Sequence, residues 1–402
     1  MILQAVELPK LRPVEALPVE TGRGRMVALR DPWGISPEVL LSEEAFFVAA
    51  QLDGRNTLRD LQVAYMRRFG EIIFGERIEE LIRTLDEHYL LETPRFQRHL
   101  QELKGRWQDS PVREAAFAGK GYPADPAELR SYLEGFLEEA SPRRLDGLRG
   151  VVAPHIDLGR GGPCYASVYR ALADEGDHPS LVVIFGTCHL PMKAPFALTE
   201  KAFRTPLGAL RTACDLVEEI REAVPFDPLE DEFLHRNEHT VELQLLFLQH
   251  LWGDGFEILP ILCRSFAHYV EGDSRPSEDP AFRAFVEALR EVLRRREVLL
   301  LASADLSHIG PQFGDPLRVD EGTLVEVGGK DREMLSYVER GDAEGFYDYV
   351  KAERDRRRIC GLPPIYALLK VLGSCRGELL DYRQWRDPRG LGSVSFASLA
   401  LF

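Results

Sequence analysis

Apolar residues recur at three- and four-residue intervals between Ser36 and Glu92. From Leu148 onward they gather into short unbroken runs separated by helical stretches. The first pattern predicts three short helices. Ser42 caps one that runs through Ala45 and Phe46 to Leu52 and stops at Asp53-Gly54. Thr57 opens a second, closing at Phe69-Gly70, and Ile78, Leu81, Ile82 and Leu85 mark a third, with Tyr89-Leu90-Leu91 as a short strand after it. Residues 1–25 lack periodicity and read as an extended arm, and the charged stretch from Thr93 to Asp109 reads as a helical connector. The second pattern predicts strands at 149–154, 181–186, 257–262 and 297–302 and in the final SVSFASLALF. Helices are expected near 163–173, 212–223, 238–252, 280–295, 331–339, 343–353 and 363–372, with another opening at Pro126. This alternation predicts an α/β fold, a mostly parallel sheet flanked by helices, preceded by a small α-rich domain. The expected boundaries are 1–92 for the small domain, 93–111 for a linker and 112–402 for the α/β domain.

Three of the apolar runs end on a histidine: Val-Val-Ala-Pro-His155, Ile-Phe-Gly-Thr-Cys188-His189 and Ala-Ser-Ala-Asp305-Leu-Ser-His308. Ligands of open α/β sheets bind at the carboxyl ends of the strands. With 10 histidines in the chain, three placed this way predict one convergent site. His155 leads through Asp157 into a glycine-rich turn that lets backbone approach a ligand. Alone it would read as a turn residue; beside the others it reads as a metal ligand. His189 is favoured as a ligand over Cys188, because adjacent side chains after a strand point apart, which leaves Cys188 to packing. Asp305 and His308 are spaced for one turn of chain, so the carboxylate either orients the imidazole and raises its basicity or makes a local structural hydrogen bond.

His235-Arg-Asn-Glu238-His239-Thr-Val-Glu242 enters a helix that is apolar almost all round. Such a helix belongs in a core, so the polar head formed by Glu238, His239 and Glu242 must face a pocket or be paired. His235 and His239, at i and i+4, could hold a metal from one helix face, although the order HExxH is absent. Cys360 lies in a turn before a helix, which suits a thiolate ligand or a nucleophile; a small buried residue is the plainer alternative.

Composition narrows the partners. The chain of 402 residues carries a formal charge of -15, which disfavours nucleic acid as a partner. No run of roughly 18 apolar residues predicts a membrane span, and the N-terminus has no signal-peptide pattern. Six cysteines without a CxxC pair fit reduced thiols and a cytoplasmic protein.

Read together, APH155, the Gly-Gly-Pro-Cys164 turn, GTCH189, RTPLG208, NEH239TVELQ244, SADLSH308 and CG361LPP resemble the Memo family, including the AmmeMemoRadiSam system protein B group. The resemblance covers about residues 112–402. It implies a fold similar to class III extradiol dioxygenases of the LigB type. It also implies a metal pocket in which His155 and His189 are ligands and Cys360 is the third, with Asp305 in the pocket and His308 as acid–base. That donor set would favour copper(I) or iron(II). Two departures are visible: Thr187-Cys188-His189-Leu190 replaces the family's usual Pro-Ser-His-His, and Leu362-Pro363-Pro364 replaces its usual segment after Cys-Gly. The N-terminal unit resembles PqqD-like winged helices through Leu52-Asp53-Gly54-Arg55 with Thr57-Leu58, Phe69-Gly70 and Leu81-Ile82. That implies binding of a peptide or a radical SAM protein. Two functions follow as expectations. One is a metal-dependent oxidoreductase acting on a small molecule or peptide in the pocket. The other is a non-catalytic adaptor for a radical SAM partner. Hydrolysis by Cys360 with His308 is a third and weaker reading.

Overall fold

The computed structural model describes residues 7–22, 24–173 and 178–402. The chain divides into two compact units, Met1–Asp109 and Ser110–Phe402.

In the first unit the expected arm is a sheet instead. Strands Glu15–Thr21 and Gly24–Arg30 form an antiparallel hairpin, and Val39–Ser42 pairs on the other side of Gly24–Arg30; residues 1–6 and 23 lie outside the described residues. Three helices follow, Glu43–Ala49, Leu58–Phe69 and Gly75–Glu87, close to their expected bounds. Thr57 and Asp60 form a reciprocal capping box, and Gly70 ends its helix with φ 75°. The expected strand at 89–91 is reduced to one bridge between Leu11 and Leu91. The expected connector is the helix Pro94–Asp109, which belongs to this unit: Phe96 is buried beneath the Arg12 guanidinium, 3.9 Å from its ring centre. Arg12 is itself buried and paired with Asp31.

The second unit is built on an eight-stranded sheet. Its centre is four parallel strands in the order Gly150–Ala153, Val298–Ser303, Leu181–Thr187 and Glu257–Cys263. These runs are buried on both faces, which is why they read as continuous Val, Ile and Leu. The sheet is mixed rather than mostly parallel. Ser393–Leu401 runs antiparallel to Gly150–Ala153 and also pairs with Asp305–Ile309 and Gly377–Arg386, while Phe196–Ala197 closes the far edge antiparallel. Helices pack around it, among them Leu158–Ala173, His239–Trp252, Pro280–Leu293 and Leu362–Leu372. Among the described residues no helix is long and apolar enough to cross a membrane.

Register positions the site. Ser303 is level with Ala153 on one side and Gly186 on the other, so the strands release Pro154-His155, Cys188-His189 and Ala304-Asp305 at one edge. Two glycines bring further chain to that edge. A Cβ on Gly186 would lie 2.4 Å from Thr240 Oγ1, so the head of the His239–Trp252 helix can sit against the strand only because Gly186 has no side chain. A Cβ on Gly361 would lie 2.5 Å from the Asp305 carbonyl oxygen, and the same absence seats the Cys360 turn there.

Candidate metal centre

His155 is 2% exposed and held from three directions. Its Nδ1 lies 3.0 Å from the Ser303 carbonyl oxygen, its backbone N–H donates to Asp305 Oδ1 at 2.9 Å, and Gln244 Nε2 donates to both Pro154 O and Ser303 Oγ. An Nδ1–H donated to Ser303 leaves the lone pair on Nε2, which faces the Cys360 thiol. Burial, reinforced by the nearby His189 and His239, holds the His155 pKa well below its ordinary value, so the imidazole is neutral and able to ligate.

His189 and His239 owe their orientation to one carboxylate. Glu238 caps the apolar helix by accepting from the backbone N–H groups of His239 (2.9 Å) and Thr240 (3.2 Å). The same carboxylate receives the backbone N–H of His189 at 3.0 Å and lies 3.1 Å from both His189 Nδ1 and His239 Nδ1. Burial alone would raise the Glu238 pKa, but the two imidazoles and their hydrogen bonds keep it well below the usual carboxylate range. Partial burial likewise opposes charge on His189, and Glu238 overrides it, raising that pKa well above its ordinary value. The side chains of His189 and His239 are 41% and 31% exposed, so the centre opens on their side. Their rings stack with centroids 5.0 Å apart, and His155 meets each edge-on at 5.2 and 5.5 Å.

Every imidazole in this group therefore has Nδ1 within hydrogen-bond reach of an oxygen, and His155 Nε2 lies 3.7 Å from Asp305 Oδ2. The three offer ligand atoms within 4.8 Å of one another. Three imidazoles, each with Nδ1 fixed by a hydrogen bond, fit a divalent or redox metal that keeps an open coordination position, binding of which would displace the proton that Glu238 favours on His189. Cys360 stands beside the group rather than within it: its Sγ is 3.2 Å from His155 Nε2 and 3.6 Å from the Asp305 carbonyl oxygen. Burial pushes the thiol pKa up, with His189 working against it, so the lowering expected from a position before a helix is not what the surroundings produce.

The other predicted residues separate. Asp305 and His308 lie on the strand Asp305–Ile309, not on a turn. Asp305 is spent on His155, while His308 Nδ1 lies 3.1 and 3.2 Å from the carbonyls of Leu306 and Arg358. Burial lowers the His308 pKa and the nearby Asp305 partly restores it, leaving a neutral imidazole. Glu242 faces away from the centre. It is fully buried against Arg113, accepts from the amides of Ala116 and Phe117 at 3.0 Å, and receives Tyr122. Asp157 caps the helix Leu158–Ala173 and pairs with Arg160. Cys188 is buried, with its thiol on the Leu190 carbonyl. His235 does not join His239: it lies in the turn Glu232–Arg236 with Nε2 near Ala197 O, its pKa lowered to about 4 by burial. A cavity of about 250 Å³ opens beside His189 and Cys360, lined also by Phe266 and Arg358.

The comparisons with known proteins agree with the sequence motifs. A family model described as Memo-like protein matches residues 113–400. The chain belongs to the Memo family. A MEMO1 family protein of Aquifex aeolicus is 29% identical over 398 residues, covering 98% of this chain and all of that protein. One from Thermus thermophilus is 29% identical over 355 residues, covering 87% of this chain and all of its own length. One from Methanopyrus kandleri is 33% identical over 291 residues, covering 69% of this chain and 94% of its own. The Aquifex match thus takes in the first unit as well as the Memo region. Within that region, the donor group found among the described residues is three histidines, whereas the resemblance implied His155, His189 and Cys360. His239 was legible as a pocket residue and as one half of a two-histidine helix site with His235, but not as the companion of His155 and His189, because nothing in the sequence around the helix head ties it to the strand ends.

Proposed function

We propose that the second unit is a metal-dependent redox protein whose ion, iron(II) or copper(I), is held by His155, His189 and His239 with Cys360 as an adjoining soft donor. The observation that carries this reading is the common orientation of the three imidazoles, each with Nδ1 tied down. The ion would supply Lewis-acid or one-electron chemistry at the open side of the centre. The protein's own part is to keep His155 neutral by burial, to aim two imidazoles from Glu238, and to offer His308 as a neutral proton acceptor. The dioxygenase-like fold and a substrate that is a small molecule or peptide belong to the same proposal. Metal analysis of anaerobically purified protein tests it. Wild type should carry near-stoichiometric metal and the His155→Ala/His189→Ala variant almost none; equal content in both would sink the reading.

The adaptor reading draws on a different feature. In the first unit a cavity of about 610 Å³ opens between the edge strand Val39–Ser42 and the helix Gly75–Glu87, lined by Tyr65, Phe69 and Leu81. Among the described residues this strand pairs only with Gly24–Arg30, so its other edge can accept an extended peptide. With the PqqD-like resemblance, this supports docking of a peptide or a radical SAM protein. Reversing the charges that line the cavity, Arg77→Glu with Glu80→Lys in the full chain, should abolish capture of that partner. Undiminished capture would count against it.

A further inference from the structure

A second cavity in the α/β unit, about 450 Å³, lies between the turn after the Asp305–Ile309 strand, the head of the helix Glu321–Glu339 and the turn at 356–358. Cations dominate its walls. Three of them are already matched: Arg358 by Asp315 at 2.7 Å, Lys330 by Glu326 at 2.9 Å, and Arg357 by Asp331 and Glu353. Arg318 and Arg356 are exposed and line the same cavity; Arg356 is held through its backbone, its N–H on Glu353 and its carbonyl under Arg358, and neither guanidinium makes a hydrogen bond or ion pair among the described residues. This is a chain with 65 acidic residues against 50 basic ones. Two guanidinium groups left over at one concavity therefore depart from the protein's overall charge.

The backbone that presents Arg356 is held at a cost. Arg354, Asp355 and Arg358 have φ of 54°, 47° and 53°, and each left-handed non-glycine residue costs on the order of 1 kcal/mol or more. The turn is fixed from below by the buried Arg357 on Asp331 and by the Asp355 carboxylate, which accepts the Ile359 N–H at 2.7 Å. A rigid turn pays less entropy when its exposed guanidinium grips a ligand.

We infer that this cavity binds a small polyanion, a diphosphate or a polycarboxylate, clamped between Arg318 and Arg356. Guanidinium groups recognise both classes through paired N–H donors. The site shares no ligand atom with the histidine group and does not depend on the metal. It adjoins that group through Arg358, which also lines the cavity beside His189 and Cys360.

Calorimetric titration of the full chain with inorganic pyrophosphate and with citrate, at low and high salt, tests the inference. At least one should bind saturably and more weakly at high salt. Arg318→Glu/Arg356→Glu should weaken that binding by about tenfold or more, with Arg318→Gln/Arg356→Gln intermediate. Both positions are exposed, so folding is expected to survive, and metal content in the same preparations should be unchanged. Preference for pyrophosphate assigns the site to phosphate-bearing ligands, and preference for citrate to carboxylates. Absence of saturable binding by both, or equal affinity in the charge-reversed variant, would overturn the inference.

Discussion

Glu238 and Glu242 stand one turn apart at the head of the same helix, and the protein uses them in opposite ways. Glu242 is sealed at 0% exposure against Arg113, a permanent cation, and its remaining oxygen capacity is filled by two amides and a phenol. Nothing is left over for a ligand, so it is a structural rivet between the chain near 113–122 and the helix. Glu238 meets two imidazoles instead, groups that can lose a proton and turn a lone pair toward a metal while Glu238 keeps their Nδ1. A buried carboxylate matched by a guanidinium points to architecture, and one matched by paired, half-exposed imidazoles points to chemistry.

The largest effect is expected on the structural side. Arg113→Met strands a buried carboxylate and should cost about 3–5 kcal/mol in denaturant unfolding, with the double variant Arg113→Met/Glu242→Met recovering much of it. Loss below 1 kcal/mol in the single variant would remove the distinction between the two glutamates. His235 belongs to the same structural side. Its buried Nδ1 has no partner among the described residues, and its folded pKa is near 4 against an unfolded value of 6.5. Between those values the unfolded chain binds the proton and the folded one does not, so stability falls as pH drops from about 6.5 to about 4. The contribution is on the order of 3 kcal/mol, and a His235→Gln variant should show a shallower slope over that window.

The close approaches come next. Gly361→Ala must displace the Asp305 carbonyl or the Cys360 turn, costing about 1–3 kcal/mol and lowering metal content. Unchanged stability and metal content would show that the seat of Cys360 is not set there. Smallest in stability but specific in function is Glu238→Gln. It keeps one acceptor for the cap but turns its amide N–H groups toward the His189 N–H, so the loss in unfolding free energy should be about 1–2 kcal/mol. Metal affinity should fall about 10–100-fold, as for other groups that orient ligating histidines. A large stability loss with unchanged affinity would reverse the roles assigned to Glu238 and Glu242.

The comparison also explains what could be read from the chain. The four central strands were legible because burial on both faces leaves unbroken Val, Ile and Leu, and their ends located His155 and His189. The strand Gly377–Arg386 was not, because it is half-solvated and polar, GELLDYRQWR. Asp305–Ile309 read as a turn because its pairing partner lies some 90 residues away in the terminal strand. Glu238 and Glu242 looked alike because their fates depend on Arg113, 129 residues from Glu242. His239 and Cys360 reach the centre through Gly186 and Gly361, whose missing side chains matter only once the opposing chain is in place.

X-ray absorption on the anaerobically loaded full-length protein tests the central claim most directly. The account predicts a bound first-row metal whose scattering requires three imidazoles, falling to two in His239→Ala. A centre with two imidazoles in wild type, unaffected by His239→Ala, would contradict it.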